Sequence, residues 1–188
     1  MSVEYLQSRD QEVFDKIMKY EDISDNIRSE IEEFSGQVVL AHLSETQGRQ
    51  ILAMIRMSAQ LEGIADRCKS IVMDQKQILS MGMTLEGPWY DELKKMLGLT
   101  LEVFESAFWQ IAETGEQTPM DFRAAKLAKF DSKFLDLRKS YTQWLRSEAA
   151  SQYEWEAGVR FGDIVNSLMY IRKVTTNLFE VYNNEFKR

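Results

Sequence analysis

The sequence predicts an all-α protein, an antiparallel bundle of long helices, on three observations. Only two prolines and nine glycines stand in 188 residues, so few positions can break a helix. The breaking residues gather in a few places, chiefly Gly82 to Pro88 and Thr114 to Pro119, with weaker breaks from Leu43 to Gly48 and Ser147 to Ser151. Between them the chain repeats apolar side chains at gaps of three, four and seven over segments of about 30 residues. No strand pattern competes with this reading.

The first segment, Val3 to about His42, carries Val13, Ile17, Tyr20, Ile27, Ile31, Phe34 and Val38 as one stripe. The second, Thr46 to Ser80, places Met54, Met57, Leu61, Ile64, Cys68, Ile71 and Val72 on a broad apolar face, with Arg56, Gln60, Gly63 and Arg67 opposite. The third, Trp89 to Ala112, holds Leu93, Met96, Leu97, Leu101, Phe104, Phe108 and Ile111. The fourth runs from Pro119, a residue suited to a first helical position, to Arg146. The fifth, Ala149 to Phe186, carries Val159, Ile164, Leu168, Ile171, Val174 and Leu178. Helices of this length span ~45 Å and, joined by short loops, pack side by side as antiparallel neighbours.

Composition narrows the function classes. The net charge of −7 and pI near 4.9 argue against nucleic acid as a partner, because lysines and arginines must displace counterions from phosphates there. The same acidity disfavours a polybasic attachment to anionic lipid. A single cysteine, Cys68, excludes an internal disulfide and fits a reducing, cytoplasmic compartment. The richest apolar stretch, Ile51 to Ile64, is broken by Arg56, Ser58, Gln60, Glu62 and Gly63, short of the ~20 apolar residues a span needs. The first ten residues lack the pattern of a secretion signal.

Two acidic pairs stand out. Glu21 with Asp25, and Glu62 with Asp66, each sit four residues apart and project from one helical face. Like charges at that spacing cost a few tenths of a kcal/mol, and a cation between them reverses the sign. With 30 acidic residues in the chain, a solvated face is the ordinary account of any one pair. Placement favours a site: Glu62 and Asp66 share a side with Ile55, Ala59 and Met73, and Glu21 and Asp25 continue the side of Phe14, Met18 and Val39. If the two helices pack antiparallel, four carboxylates converge on a site for iron, manganese, magnesium, zinc or calcium. His42 is the only histidine, which excludes a histidine zinc cluster or a Ser-His-Asp triad, and it suits a helix end. Cys68 reads as a buried, inert thiol. No phosphate loop, nucleophile elbow or dinucleotide fingerprint is present, so no enzyme is expected.

The run Met54 to Ile71, with Leu61-Glu62-Gly63-Ile64-Ala65-Asp66 at its centre, resembles the PhoU signature of roughly Leu-Glu-Arg-Ile-Gly-Asp. Lys19 to Glu33 is similar to the family's preceding acidic helix, with Glu21 and Asp25 in the matching positions. The resemblance implies two tandem three-helix repeats, here 1–84 and 85–188. An echo stands in Phe161 to Asn177, where Met169 occupies the place of Glu62 and Lys173 that of Asp66. Upstream, Asp131 matches Glu21 and Leu135 replaces the second acid. The resemblance therefore implies one metal site, with Lys173 free to pair with Asp131 as a fixed substitute for a cation. The first helix of the first repeat is short or missing, so the chain reads as five helices where six are expected, as if cut from a longer protein.

The resemblance further implies a regulatory role in phosphate transport and homeostasis. The phrase Lys19 to Asp25, with Ala53-Met54, Glu62, Ile64 to Asp66 and Cys68, is most similar to the cytoplasmic domain of sodium-dependent phosphate cotransporters. The expected partner is then the transmembrane portion of that transporter, or a phosphate-transport complex, at the inner face of the membrane, and self-association is compatible with it. A free-standing PhoU-like regulator is the second reading. A ferritin-like carboxylate-metal enzyme is the third, weakened by the absence of Glu-x-x-His pairs.

Overall fold

The computed structural model describes residues 4–5, 8–39, 43–83, 88–112, 120–147 and 152–186. Its long elements are five helices: α1 (Gln11–Val39), α2 (Glu45–Ser80), α3 (Pro88–Ala112), α4 (Met120–Ser147) and α5 (Gln152–Phe186). No strand occurs among the described residues, so the protein is all-α as its periodicity predicts. His42 and Pro119 lie outside the described residues.

Local chemistry sets the helix ends. The first segment does not run unbroken from Val3, because Arg9 turns into the left-handed region (φ 56°) with its N–H donating to the Tyr5 carbonyl at 2.8 Å. Asp10 Oδ1 then accepts from the Glu12 N–H at 2.9 Å, satisfying a donor that the first turn leaves open. At the start of α2, Ser44 Oγ accepts from the Gln47 N–H at 3.3 Å and Gln47 Oε1 accepts from the Ser44 N–H at 3.0 Å, a reciprocal capping box. Gly82 ends α2 at φ +76°, a conformation glycine adopts without steric cost.

The two longest helices, α2 and α5, form the most extensive interface and run antiparallel. Gln50 on α2 reaches the Glu185 carbonyl on α5 at 3.3 Å, while at the other end Arg160 Nη1 meets Asp74 Oδ1 at 3.2 Å. Between them the helices come close at Gly63, where an added Cβ would stand 2.7 Å from Tyr170 Oη. The Arg67 guanidinium lies 4.8 Å from the Tyr170 ring centroid. The side of α2 expected to face solvent, with Gln60, Gly63 and Arg67, is therefore turned to α5. A central helix buries two sides, which a single-stripe reading of its sequence misses.

α1 packs on α2, and α3 packs on both α4 and α5. One core joins the two halves, with Ile64, Ile71 and Ile78 of α2 against Leu93 and Met96 of α3, Phe130 and Leu137 of α4, and Phe161, Ile164 and Leu168 of α5. Each such side chain removed from water stabilises the fold by about 1.5–3 kcal/mol. A smaller cluster of Tyr5, Val13, Phe14, Ile17 and Val72 closes one end of α1 on α2. Cys68, expected to be buried, is half-buried against the main core. The rest of the α1 stripe is not covered: Tyr20, Ile27 and Phe34 are exposed, as are Met54 and Leu61 facing them from α2.

Candidate functional site

The acidic residues singled out by the sequence lie on the α1–α2 hairpin, and each inner glutamate has a cation beside it. Glu21 is buried on α1, and Lys69 Nζ of α2 sits 2.8 Å from its Oε1. Glu62, half-buried on α2, accepts from Arg28 Nη1 of α1 at 2.9 Å, and Arg28 Nε also donates to Glu32 at 3.0 Å. On each helix the cation stands seven residues beyond the glutamate, which is two turns and the same face. Antiparallel packing then sets Glu21 against Lys69 and Glu62 against Arg28 in one register. Asp25 and Asp66, one turn on from their glutamates, are exposed.

The hydrogen bond to Glu21 holds the Lys69 ammonium above the usual lysine range; desolvation opposes it, and the charges of Glu21, Asp22 and Asp66 add to it. For Arg28 the hydrogen bond to Glu32 leads, followed by the charges of Glu32 and Glu62. Both side chains therefore carry fixed positive charge between the carboxylates. A metal ion there would compete with Lys69 for Glu21 Oε1 and with Arg28 for Glu62 Oε2. No group of three or more His, Cys, Asp or Glu side chains is placed to hold a metal among the described residues. In this arrangement Glu21 and Glu62 are held in ion pairs across the hairpin, and Asp25 and Asp66 stand exposed beside them.

In the second half Asp131 Oδ2 is bound at 2.8 Å by Arg172 Nη2, not by Lys173. Neighbouring residues on a helix point about 100° apart, so only one of the two can face α4. A further ion pair not singled out by sequence is Asp74 with Arg160 across α2 and α5. Burial pushes the Asp74 carboxyl up, partly offset by its hydrogen bond to Arg160 and the Arg160 charge, with Asp163 adding to the rise.

The other notable feature is apolar. A groove of about 390 Å³ lies between the α1–α2 hairpin and α3, lined by Ile17, Leu61, Cys68, Leu97 and Phe104 among others. Glu21 also borders it, and Glu21 Oε2 is buried with no hydrogen-bond partner among the described residues. A second stretch of about 460 Å³, sharing Tyr20 and Leu61, continues past Ile27, Ile31, Met54 and Met57 to Ile111. The signal for it lay in the sequence as an apolar stripe on α1 longer than one neighbouring helix needs.

The PhoU domain family model matches residues 1–74. The phosphate-specific transport system accessory protein PhoU homolog 1 of Thermotoga maritima is 28% identical over 139 residues. That alignment takes in 73% of this chain, and the chain spans 57% of the length of that relative. No helix among the described residues is long and apolar enough to cross a membrane. Residues 1–74 hold Glu21, Arg28, Glu62 and Lys69, so the stretch that matches the PhoU domain family contains the whole salt-bridged face of the α1–α2 hairpin.

Proposed function

We propose that this chain is a regulatory domain of phosphate transport that acts by binding and changes of contact, without catalysing a reaction. The observation that carries the reading is the coincidence of the PhoU domain match with the α1–α2 hairpin, whose cross-helix ion pairs fit one antiparallel register. A relative described as an accessory protein of a phosphate-specific transport system supports the same role. The residue pattern of Lys19 to Asp25 and Ala53 to Cys68 favours attachment to a sodium/phosphate cotransporter at the inner membrane face, and the accessory relative favours a free-standing regulator. Cotransporter-type apolar spans in the same reading frame separate the two. In either context, deleting the domain should alter phosphate uptake or its repression at high external phosphate, measured with radiolabelled phosphate in whole cells. Unchanged uptake under both scarce and abundant phosphate would sink the proposal.

In this reading the domain needs no metal ion. Magnesium, calcium, manganese, zinc or ferrous iron should leave its melting temperature unchanged. A cation bound only by the folded chain would add about 2.7 kcal/mol of stability at 100 times its dissociation constant. A metal-dependent rise that Glu62→Ala/Asp66→Ala abolishes would show that Lys69 and Arg28 yield their places to a cation.

A further inference from the structure

We propose that the polar groove between α2 and α5 binds a nucleotide, with its phosphate on Arg67 and Arg160 and its hydroxyl or amine donors on the carboxylates at the rim. The groove has a volume of about 670 Å³, within the ~300–1,000 Å³ of small-molecule sites and far more than a bare oxyanion fills. It lies on the opposite side of α2 from the apolar groove: Met73, which lines it, stands about half a turn round the helix from Ile64 and Ile71. A helix seated against the apolar groove would therefore leave this one open. The two halves of the chain show that packing alone does not call for charge here. In the register that matches Lys173 with Asp66, Val181 stands for Asp74, Val174 for Arg67 and Ala53 for Arg160. Those three apolar residues are buried, at 8%, 9% and 4% exposed. One end of the α2–α5 crossing is thus closed by small apolar side chains, and the other holds two guanidiniums and a buried carboxylate.

The Arg67 guanidinium lies against the Tyr170 ring, which fixes its plane, and no ion pair takes its N–H edge among the described residues. Arg160 gives Nη1 to Asp74 Oδ1 at 3.2 Å, and its other N–H donors meet no carboxylate among the described residues. Planar guanidiniums with open edges match the oxygens of a phosphate two at a time. Lys69 also lines the groove but is taken by Glu21 at 2.8 Å. Asp66 and Asp163 are exposed at the rim, where they repel a bare anion and accept from hydroxyl or amine groups. Two guanidiniums inside two rim carboxylates therefore select an anion that also carries donors, as a nucleotide does with its ribose and base. Met73, 48% exposed beside them, offers an apolar seat for the base.

Calorimetric titration of the purified chain with AMP, ADP and ATP in magnesium-free buffer, beside adenosine and inorganic phosphate, tests this. At least one nucleotide should bind, raise the melting temperature, and outbind both adenosine and inorganic phosphate roughly tenfold or more. Arg67→Gln should weaken that binding by a similar factor, the worth of a charge-assisted hydrogen bond. Arg56→Gln removes an equal charge from the same helix outside the groove and should leave binding unchanged. Asp163→Ala should weaken nucleotide binding and strengthen phosphate binding. Arg56, Arg67 and Asp163 are all exposed, so helicity and the melting temperature of the free chain should hold. No binding by any of these compounds, or equal affinity for inorganic phosphate and nucleotide, would overturn the proposal. So would an equal loss in Arg67→Gln and Arg56→Gln, or tighter nucleotide binding by Asp163→Ala. The purified chain suffices for every arm, so failure here leaves the transport role standing.

Discussion

Asp74 lies where α2 meets α5, with Arg160 and Asp163 of α5 as its charged neighbours. Burial raises its carboxyl above the ordinary value, so the folded chain holds that proton more tightly than the unfolded chain does. The group's contribution to stability is then fully present below the unfolded carboxylate pKa of about 4 and is lost as pH rises through the raised value. Urea midpoints measured from pH 4 to 7 should show that decline, and Asp74→Asn should flatten it. Arg160→Met removes the offsetting charge and should move the decline to higher pH; a curve unmoved by Arg160→Met would assign the slope to another group. At Glu21 the expectation is different, because Lys69 is its one partner among the described residues. Lys69→Met should cost about 1–3 kcal/mol by urea denaturation, and Glu21→Leu/Lys69→Met should recover most of that loss. The sequence placed all four carboxylates beside the apolar stripes, and of these Glu21 is buried, Glu62 half-buried, and Asp25 and Asp66 exposed. The partners of the glutamates were not legible, since a cross-helix pair depends on register, and only the shared seven-residue offset to Arg28 and Lys69 hints at it.

Among the elements, α2 carries the clearest local signals. Ser44→Ala removes one arm of its capping box and should lower stability by about 1 kcal/mol in a thermal melt, with little change in helix content. Ser44→Asp keeps an acceptor and should restore most of that loss. The five helices were legible because 3.6-residue periodicity persists over long segments with breakers between them. Burial along them was less so. Val13 and Ile17 are covered and Tyr20 and Ile27 are open on one unbroken stripe of α1, and periodicity reports which side is apolar without saying how far a neighbour extends along it. On α2 the error ran the other way. Gln60, Gly63 and Arg67 read as a solvated side, and an aromatic ring from α5 uses that polar, small surface as its seat.

For the whole molecule the α2–α5 crossing is decisive. Gly63→Leu would drive a branched side chain into Tyr170 and should destabilise the fold by about 1–3 kcal/mol. Gly63→Ala should be far milder, because Tyr170 Oη is the free end of a side chain and alanine is favoured over glycine in a helix by roughly 1 kcal/mol. An equal loss in both variants would mean that the backbone, not the ring, limits the approach. The same crossing bears on how the protein is made. α2 is complete at residue 80, and the helix that covers it, α5, does not begin until residue 152. At ~5–20 residues per second, a ribosome leaves Ile64, Ile71 and Ile78 without that cover for roughly 4–14 seconds, far longer than hydrophobic collapse takes. Every newly synthesised copy therefore passes through an interval in which this hairpin is finished and the helix that covers it is still unwritten.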